Sequence, residues 1–335
     1  MSSLLGVLCM SLLVGTCDAY WGHTYIAEGG GYVYALRSLA DGSSLCVYDA
    51  SRSEKRELMT LDMLGEPLAE VATAGQHSCH ITLLGREAAV ADYTSGTLSL
   101  FPLSAEGLPS TPRMVYFEGS GPHPKRQQSP HVHSTTLSPD GSTLVVVDLG
   151  TDRLYLFSVA EGRVASLSDY RTVALPAGCG PRHCAFDSHG RYLYVVTELS
   201  DEVLVYDTAD YSLVQRCNLG AGNPQGGSHI LLSQDGRYLY ASLRVSSTAG
   251  AATCGVKDGV AVFRVRDGRL QPHGYLETEG HPRHFALTAD GRYLIVACRD
   301  SNSLIGYPLS LDGKLPATHE WRVELPKPVW VGEMK

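Results

Sequence analysis

Short runs of apolar residues, alternating with polar ones and set off by tight turns, recur along this chain, while the 3.6-residue periodicity of amphipathic helices hardly appears. Each turn ends in glycine, usually as Asp-Gly, and a β-rich run follows. The runs are ADGSSLCVYD from Ala40, LGREAAVADY from Leu84, PDGSTLVVVDL from Pro139, SHGRYLYVVTEL from Ser188, QDGRYLYASLR from Gln234 and ADGRYLIVACRD from Ala289. The anchor glycines Gly42, Gly85, Gly141, Gly190, Gly236 and Gly291 are spaced by 43, 56, 49, 46 and 55 residues. A second run ending in an aromatic residue accompanies many of them, as in Arg153 to Phe157, Glu202 to Tyr206, Val260 to Phe263 and Ser303 to Tyr307. An Asp-Gly turn between alternating runs is a hairpin signal, and hairpins repeated at this period predict four-stranded antiparallel blades.

The pattern predicts an all-β chain folded as a seven-bladed β-propeller, a single domain over residues 1–335. Six anchored repeats leave Leu12 to Gly15 and Tyr32 to Tyr34 at the front and Pro328 to Val331 at the back. Pairing of the N- and C-terminal strands closes the ring and leaves no sheet edge open. Val14 precedes Val47 by only 33 residues, so the first blade is expected to be abbreviated.

The first nineteen residues complicate the front. MSSLLGVLCMSLLVGTCDA has the apolar run Leu4 to Val14 and small residues near Ala19, as in a secretory signal, but it lacks a basic start and contains Gly6, Cys9 and Ser11. It falls short of the roughly 20 apolar residues that a spanning helix takes, and no other segment is a candidate to cross a membrane. A buried strand over Ser11 to Gly15 is the preferred reading, with the protein cytoplasmic; a signal at 1–19 would make it secreted.

With 44% hydrophobic and 19% charged positions in 335 residues, the chain can bury a full core and is neither disordered nor a coiled coil. The net charge of −8, from 35 acidic and 27 basic residues, argues against a duplex-binding surface. Nine cysteines run from Cys9 to Cys298 with no C-x-x-C pair, so neither a zinc knuckle nor a disulfide framework is indicated, and buried free thiols are expected. Cys184 beside His183 and Cys79 beside His80 are poor metal pairs, because adjacent strand residues point to opposite faces.

In a ring of like blades, one column of the repeat becomes one circle of side chains around the axis. Eight residues before the anchor stand His133, Arg182, Ser228 and Arg283; seven before stand Ser134, His183, His229 and His284. Eight after stand Leu149, Glu198, Arg244 and Arg299, with Tyr93 in the second repeat; seven after stand Asp49, Asp92, Asp148 and Thr197. Neighbouring columns face opposite ways on an extended strand, so only one of each pair can line the channel. The outer columns carry Arg, His and Glu and vary from blade to blade, which marks them as the wet pair. His183, His229, His284 and Asp148 are then structural. The resulting cluster of Arg182, Arg244, Arg283, Arg299, Glu198 and His133 calls for a small anion, since clustered cations are costly without one and arginine offers a fork for carboxylate or phosphate.

A carboxylate or imidazole beside arginines can guide water to an ester carbonyl while the cations stabilise the oxyanion. Hydrolysis of a charged lactone fits. No G-x-S-x-G elbow, phosphate-cradling G-x-x-x-x-G-K-[ST] string or dinucleotide fingerprint is present, and Glu28-Gly-Gly-Gly31 is only a turn.

The strings QQSPHVHSTTLSPDG (Gln127 to Gly141), VVDLGTDRLYLF (Val146 to Phe157), GPRHCAFDSHGRYLYVVTELSDEVLVY (Gly180 to Tyr206) and HPRHFALTADGRYLIVACRDSNSL (His281 to Leu304) resemble the seven-bladed lactonase family. That family includes propeller-type 6-phosphogluconolactonases and the fungal carboxymuconate-lactonising enzyme, and the likeness covers roughly residues 40 to 331. The resemblance implies a cofactor-free and metal-free propeller acting on sugar-acid lactones or related anions, as a monomer or dimer. It implies a catalytic set of His133, Arg182, Glu198 and Arg244; Arg283 and Arg299, from the same columns, and His131 are expected to bind substrate. The reaction expected is hydrolysis of 6-phospho-D-glucono-1,5-lactone, a step of the pentose phosphate pathway. A carboxymuconate-type cycloisomerase and a non-catalytic scaffold propeller are the alternatives. Three departures stand out: a compressed first blade, a second repeat short by two residues between His80 and Gly85, and an insertion, Ser246 to Lys257, that either covers a channel mouth or is a loose loop.

Overall fold

A computed structural model describes residues 11–17, 25–39, 42–50, 58–220, 226–245, 256–310 and 312–333, which form seven sheets joined by turns and loops. Blades 1 to 6 span 26–72, 78–116, 132–174, 181–218, 227–277 and 282–324. Each is an antiparallel meander: blade 2 runs Ser78–Leu83, Glu87–Asp92, Thr97–Pro102 and Arg113–Tyr116. From blade 1 to blade 6 the first strand of each blade packs against the first strand of the next, and these strands line the axis.

Blade 7 closes the ring. Its inner strand, Pro328–Glu333, pairs antiparallel with Leu12–Thr16, and Leu58–Thr60 adds to the other side of that strand in parallel. The expected closure and the buried strand at the front are both present. Among the described residues the blade that Leu12–Thr16 enters has three strands, whereas Tyr32–Leu39 belongs to the four-stranded blade 1. The rest of the leader reading (residues 1–10, 18 and 19) and residues 246–255 of the insertion lie outside the described residues.

Middle strands such as Leu144 to Val147, Leu193 to Val196 and Leu294 to Cys298 are buried on both faces, because each blade is covered by a neighbour on either side. That is why they read as continuous apolar runs rather than as strict alternation. Seven apolar clusters result, one at each blade junction, including the two that flank the closing blade. Cys46, Cys79, Cys179, Cys184, Cys217 and Cys298 are free thiols buried in these layers, and Cys17 is buried as well.

Buried carboxylates fix the blades. Asp92 accepts from Ser78, Thr97 and Ser99, and Asp148 from the backbone N–H groups of His131 and Gly150 and from Thr151. Other aspartates reach across junctions: Asp152 holds the N–H of Gly180, Asp201 those of Gly226 and Gly227, and Asp258 that of His281. Each clasp sets the start of the next inner strand, where the candidate residues sit.

Candidate functional site

The inner strands do not enter the sheet smoothly. In blade 4 Pro181 pairs with Thr197 and His183 with Val196, so Arg182 is the extra residue of a β-bulge. His133, Arg283 and Cys79 occupy the same extra place in blades 3, 6 and 2. A bulge puts two residues opposite one and re-aims the side chain. The column read from sequence as functional is thus a ring of bulges, and the premise that neighbouring columns must face opposite ways fails there. The column seven before the anchor also reaches the axis. A cavity of about 20 Å³ is lined by residues of both columns, among them Arg182, His183, Arg283 and His284.

Glu198 is the centre of the arrangement. Arg182 Nε and Arg244 Nη2 lie 3.0 and 2.9 Å from its Oε2, and Arg126 Nη2 lies 2.5 Å from Oε1. Side-chain exposure is 3% for Arg182, 8% for Arg244 and 35% for Arg126, so Arg126 forms the rim and the other two the floor. Burial alone would raise the Glu198 pKa, but the guanidiniums of Arg126, Arg244 and Arg182 hold it well below the usual carboxylate range. Burial, with the like charges of Arg244 and Arg283, disfavours the charge on Arg182, an imbalance that a bound anion relieves.

His133 lies beside the cluster. Its ring sits edge-on to Tyr93 and His183, and burial followed by the Arg182 charge keeps the imidazole neutral. His131 stacks on Tyr93 with centroids 4.6 Å apart and donates from Nδ1 to the Tyr93 carbonyl, leaving Nε2 for another partner. Arg283 lines the axial cavity, its pKa pushed down to about 10 by burial and by Arg244 and Arg299. Arg299 pairs through Nε with Asp300 at 2.7 Å and not with Glu198.

The histidines assigned from sequence to a structural role crowd the channel. His183 packs against His80, His133 and His229, and Tyr25 lies tilted against His80 and meets His183 and His284 edge-on. Among the described residues no group of three or more His, Cys, Asp or Glu side chains is placed to share a metal ion.

Arg126 escaped the column argument because it lies in the loop before blade 3, outside the strand repeat. Its anchor is the neighbouring Gln127, a fully buried amide that donates to the Leu149 carbonyl and to Asp152 and accepts from the His123 N–H. The Lys-Arg pair in PHPKRQQSP was the available signal.

At the axis of this seven-bladed propeller the bulged inner strands supply Arg182, Arg283 and the neutral imidazole of His133, and the turns after the second strands of blades 4 and 5 supply Glu198 and Arg244. The family model "Lactonase, 7-bladed beta-propeller" matches residues 24–332, and the chain belongs to that family. It is 31% identical over 274 residues to a 6-phosphogluconolactonase of Bacillus subtilis, covering 77% of this chain and 73% of that one. It is 32% identical over 245 residues to a 6-phosphogluconolactonase of Klebsiella pneumoniae, covering 70% and 67%. The crystal structure of a putative 6-phosphogluconolactonase from Bacteroides fragilis superposes with a TM-score of 0.83 at 28% identity, covering 97% of this chain and 98% of that one. These likenesses support a lactone-hydrolysing enzyme.

Proposed function

We propose that the protein hydrolyses 6-phospho-D-glucono-1,5-lactone to 6-phosphogluconate. The observation that carries this reading is the buried Glu198 under three guanidiniums, with Arg283 lining the axial cavity and Arg299 paired to Asp300 close by. Such a gathering of guanidiniums favours a substrate that brings negative charge and develops more at its carbonyl. The names carried by the B. subtilis and K. pneumoniae relatives support the choice of lactone.

In this mechanism Arg182 and Arg244 take the carbonyl oxygen as it becomes an oxyanion. Arg283 and Arg299 receive the phosphate, and His131 binds at the rim. Water attacks the carbonyl carbon and passes its proton to the neutral His133. The bond to the ring oxygen then breaks, and His133 returns the proton to that oxygen, so that lactone and water balance the hydroxy acid. Glu198, engaged in ion pairs with Arg126, Arg182 and Arg244, orients water and holds the three arginines. The test is the loss of freshly prepared phosphorylated lactone, followed against its spontaneous hydrolysis. Acceleration by the wild type, abolished in Arg182→Met, supports the reading, and no acceleration overturns it.

A further inference from the structure

His281 stands two residues before the bulge of blade 6, at the place held by Gly180 in blade 4. Gly180 has φ 57° and His281 φ 61°, a left-handed conformation that glycine adopts freely and a β-carbon resists. The backbone clasp that this conformation serves needs no side chain, since it runs from the His281 N–H to Asp258. The imidazole is nevertheless buried, 3% exposed, and neither ring nitrogen has a hydrogen-bond partner. Asp300 Oδ2 lies 3.3 Å from Nδ1 but off the hydrogen-bonding direction, and its other oxygen is taken by Arg299.

Its counterparts differ. His77 Nδ1 meets Thr94 Oγ1 at 2.6 Å, and His131 Nδ1 meets the Tyr93 carbonyl at 3.0 Å. A strained backbone together with an orphaned buried imidazole is costly to keep, and the combination points to a ligand. Burial first, then the charges of Arg244, Arg283, Arg299 and Arg182, keep the ring neutral, so it offers one N–H donor among guanidiniums.

We propose that His281, with Arg283 and Arg299, forms a second anion subsite, adjoining the Glu198 cluster through Arg244, that binds the phosphate of the substrate and selects phosphorylated over neutral lactones. This rests on the lactonase reading for its substrate but not for its anion. The imidazole donates to a phosphate oxygen while the guanidiniums neutralise its charge.

The experiment compares wild type with His281→Gly, which suits the left-handed backbone, and His281→Asn, which tolerates it and keeps a donor. Thermal shift is measured with inorganic phosphate and with 6-phosphogluconate, and steady-state hydrolysis with phosphorylated and unphosphorylated gluconolactone. The expected result for His281→Gly is an unliganded melting temperature no lower than wild type, a shift by 6-phosphogluconate reduced by at least half, and a KM for the phosphorylated lactone raised about tenfold. Its kcat/KM for the unphosphorylated lactone falls several-fold less than that for the phosphorylated one, and His281→Asn falls between. Wild-type shifts retained in both variants, or no shift of the wild type by either anion, overturn the subsite. Should His281→Gly not fold, the same comparison is read from His281→Asn. A His281-dependent shift without lactone hydrolysis above the spontaneous rate leaves the subsite standing and overturns the catalytic reading instead.

Discussion

Arg182 and His183 are consecutive in the chain, yet their side chains meet: Arg182 Nη1 lies 3.2 Å from His183 Nε2. Arginine can only donate, so that imidazole nitrogen accepts and the proton of His183 sits on Nδ1, which faces His229 Nδ1 at 3.0 Å. His229 is therefore protonated on Nε2. The bulge makes the contact possible, and the chain of donors runs one way, from Arg182 through His183 to His229. With the Ser228 carbonyl, at 2.8 Å from the same Nη1, it fixes the guanidinium that reaches Glu198.

His183 is accordingly a positioning residue, and its variants should separate acceptor from volume. His183→Leu removes the acceptor and is expected to lower kcat about tenfold or more, with KM much less affected. His183→Gln, which can accept from Arg182 and donate to His229, is expected to recover most of that loss. Equal activity in the two variants would show that only packing matters.

Removing the central charge has a larger effect. Glu198→Gln leaves Arg126, Arg182 and Arg244 without their shared counter-charge, and breaking a buried pair in this way costs about 3–5 kcal/mol. The variant is expected to lose about 100-fold in kcat, in the range of a lost electrostatic contact. It should melt at a lower temperature, with millimolar phosphate restoring part of the loss. A variant as stable as wild type would mean that the arginines find other partners.

Acid should unfold this protein early. Burial is the main cause that pushes His80 and His284 down to about 3 and holds His133, His183 and His229 well below their usual range. A folded pKa below the unfolded value of about 6.5 means that stability is complete above about pH 6.5 and falls as pH drops, because the unfolded chain binds protons the native state refuses. Each such group withdraws up to about 1.4 kcal/mol per pH unit. Asp92, raised to about 6, and Asp148, also raised, both mainly by burial, act in the opposite sense, but two carboxylates do not offset these five imidazoles and that of His281, which burial also holds down. The urea midpoint is expected to be clearly lower at pH 5.5 than at pH 7.5, with net proton uptake on unfolding. An equal or higher midpoint at pH 5.5 would contradict buried neutral histidines.

What the sequence made legible follows from what repeats. The glycine-ended turns and apolar runs recur in every complete blade, so ring, closure and the columns holding Arg182, Glu198, Arg244 and His133 are legible in the sequence. Two features do not repeat in that way. The bulge is one extra residue in the inner strands of blades 2 to 6 and leaves no mark in the hydrophobic pattern, so the pattern alone places His183, His229 and His284 away from the axis they crowd. Arg126 belongs to a single loop, where no column could align it. Arg299 shares a column with Glu198 and Arg244 but is turned onto Asp300 by a contact with its own neighbour.

Asp152 ties two of these pieces together and gives a sharp test of how the site is assembled. Its carboxylate accepts from the N–H groups of Gly178 and Gly180, two residues before Arg182, and from the amide of Gln127, next to Arg126. Hydrogen bonds to a charged group are worth about 1.5–3 kcal/mol each, and a buried donor left unmatched costs about 1–3. Asp152→Ala is therefore expected to destabilise the fold by about 3 kcal/mol or more. It should also loosen both arginines on Glu198 at once, lowering kcat/KM well beyond tenfold at a temperature where the variant is still folded. Asp152→Asn keeps one acceptor oxygen and should recover part of both losses. Because Asp152 itself touches neither Glu198 nor the arginines in these bonds, a variant destabilised but fully active when folded would show that Arg126 and Arg182 hold their places through Glu198 alone.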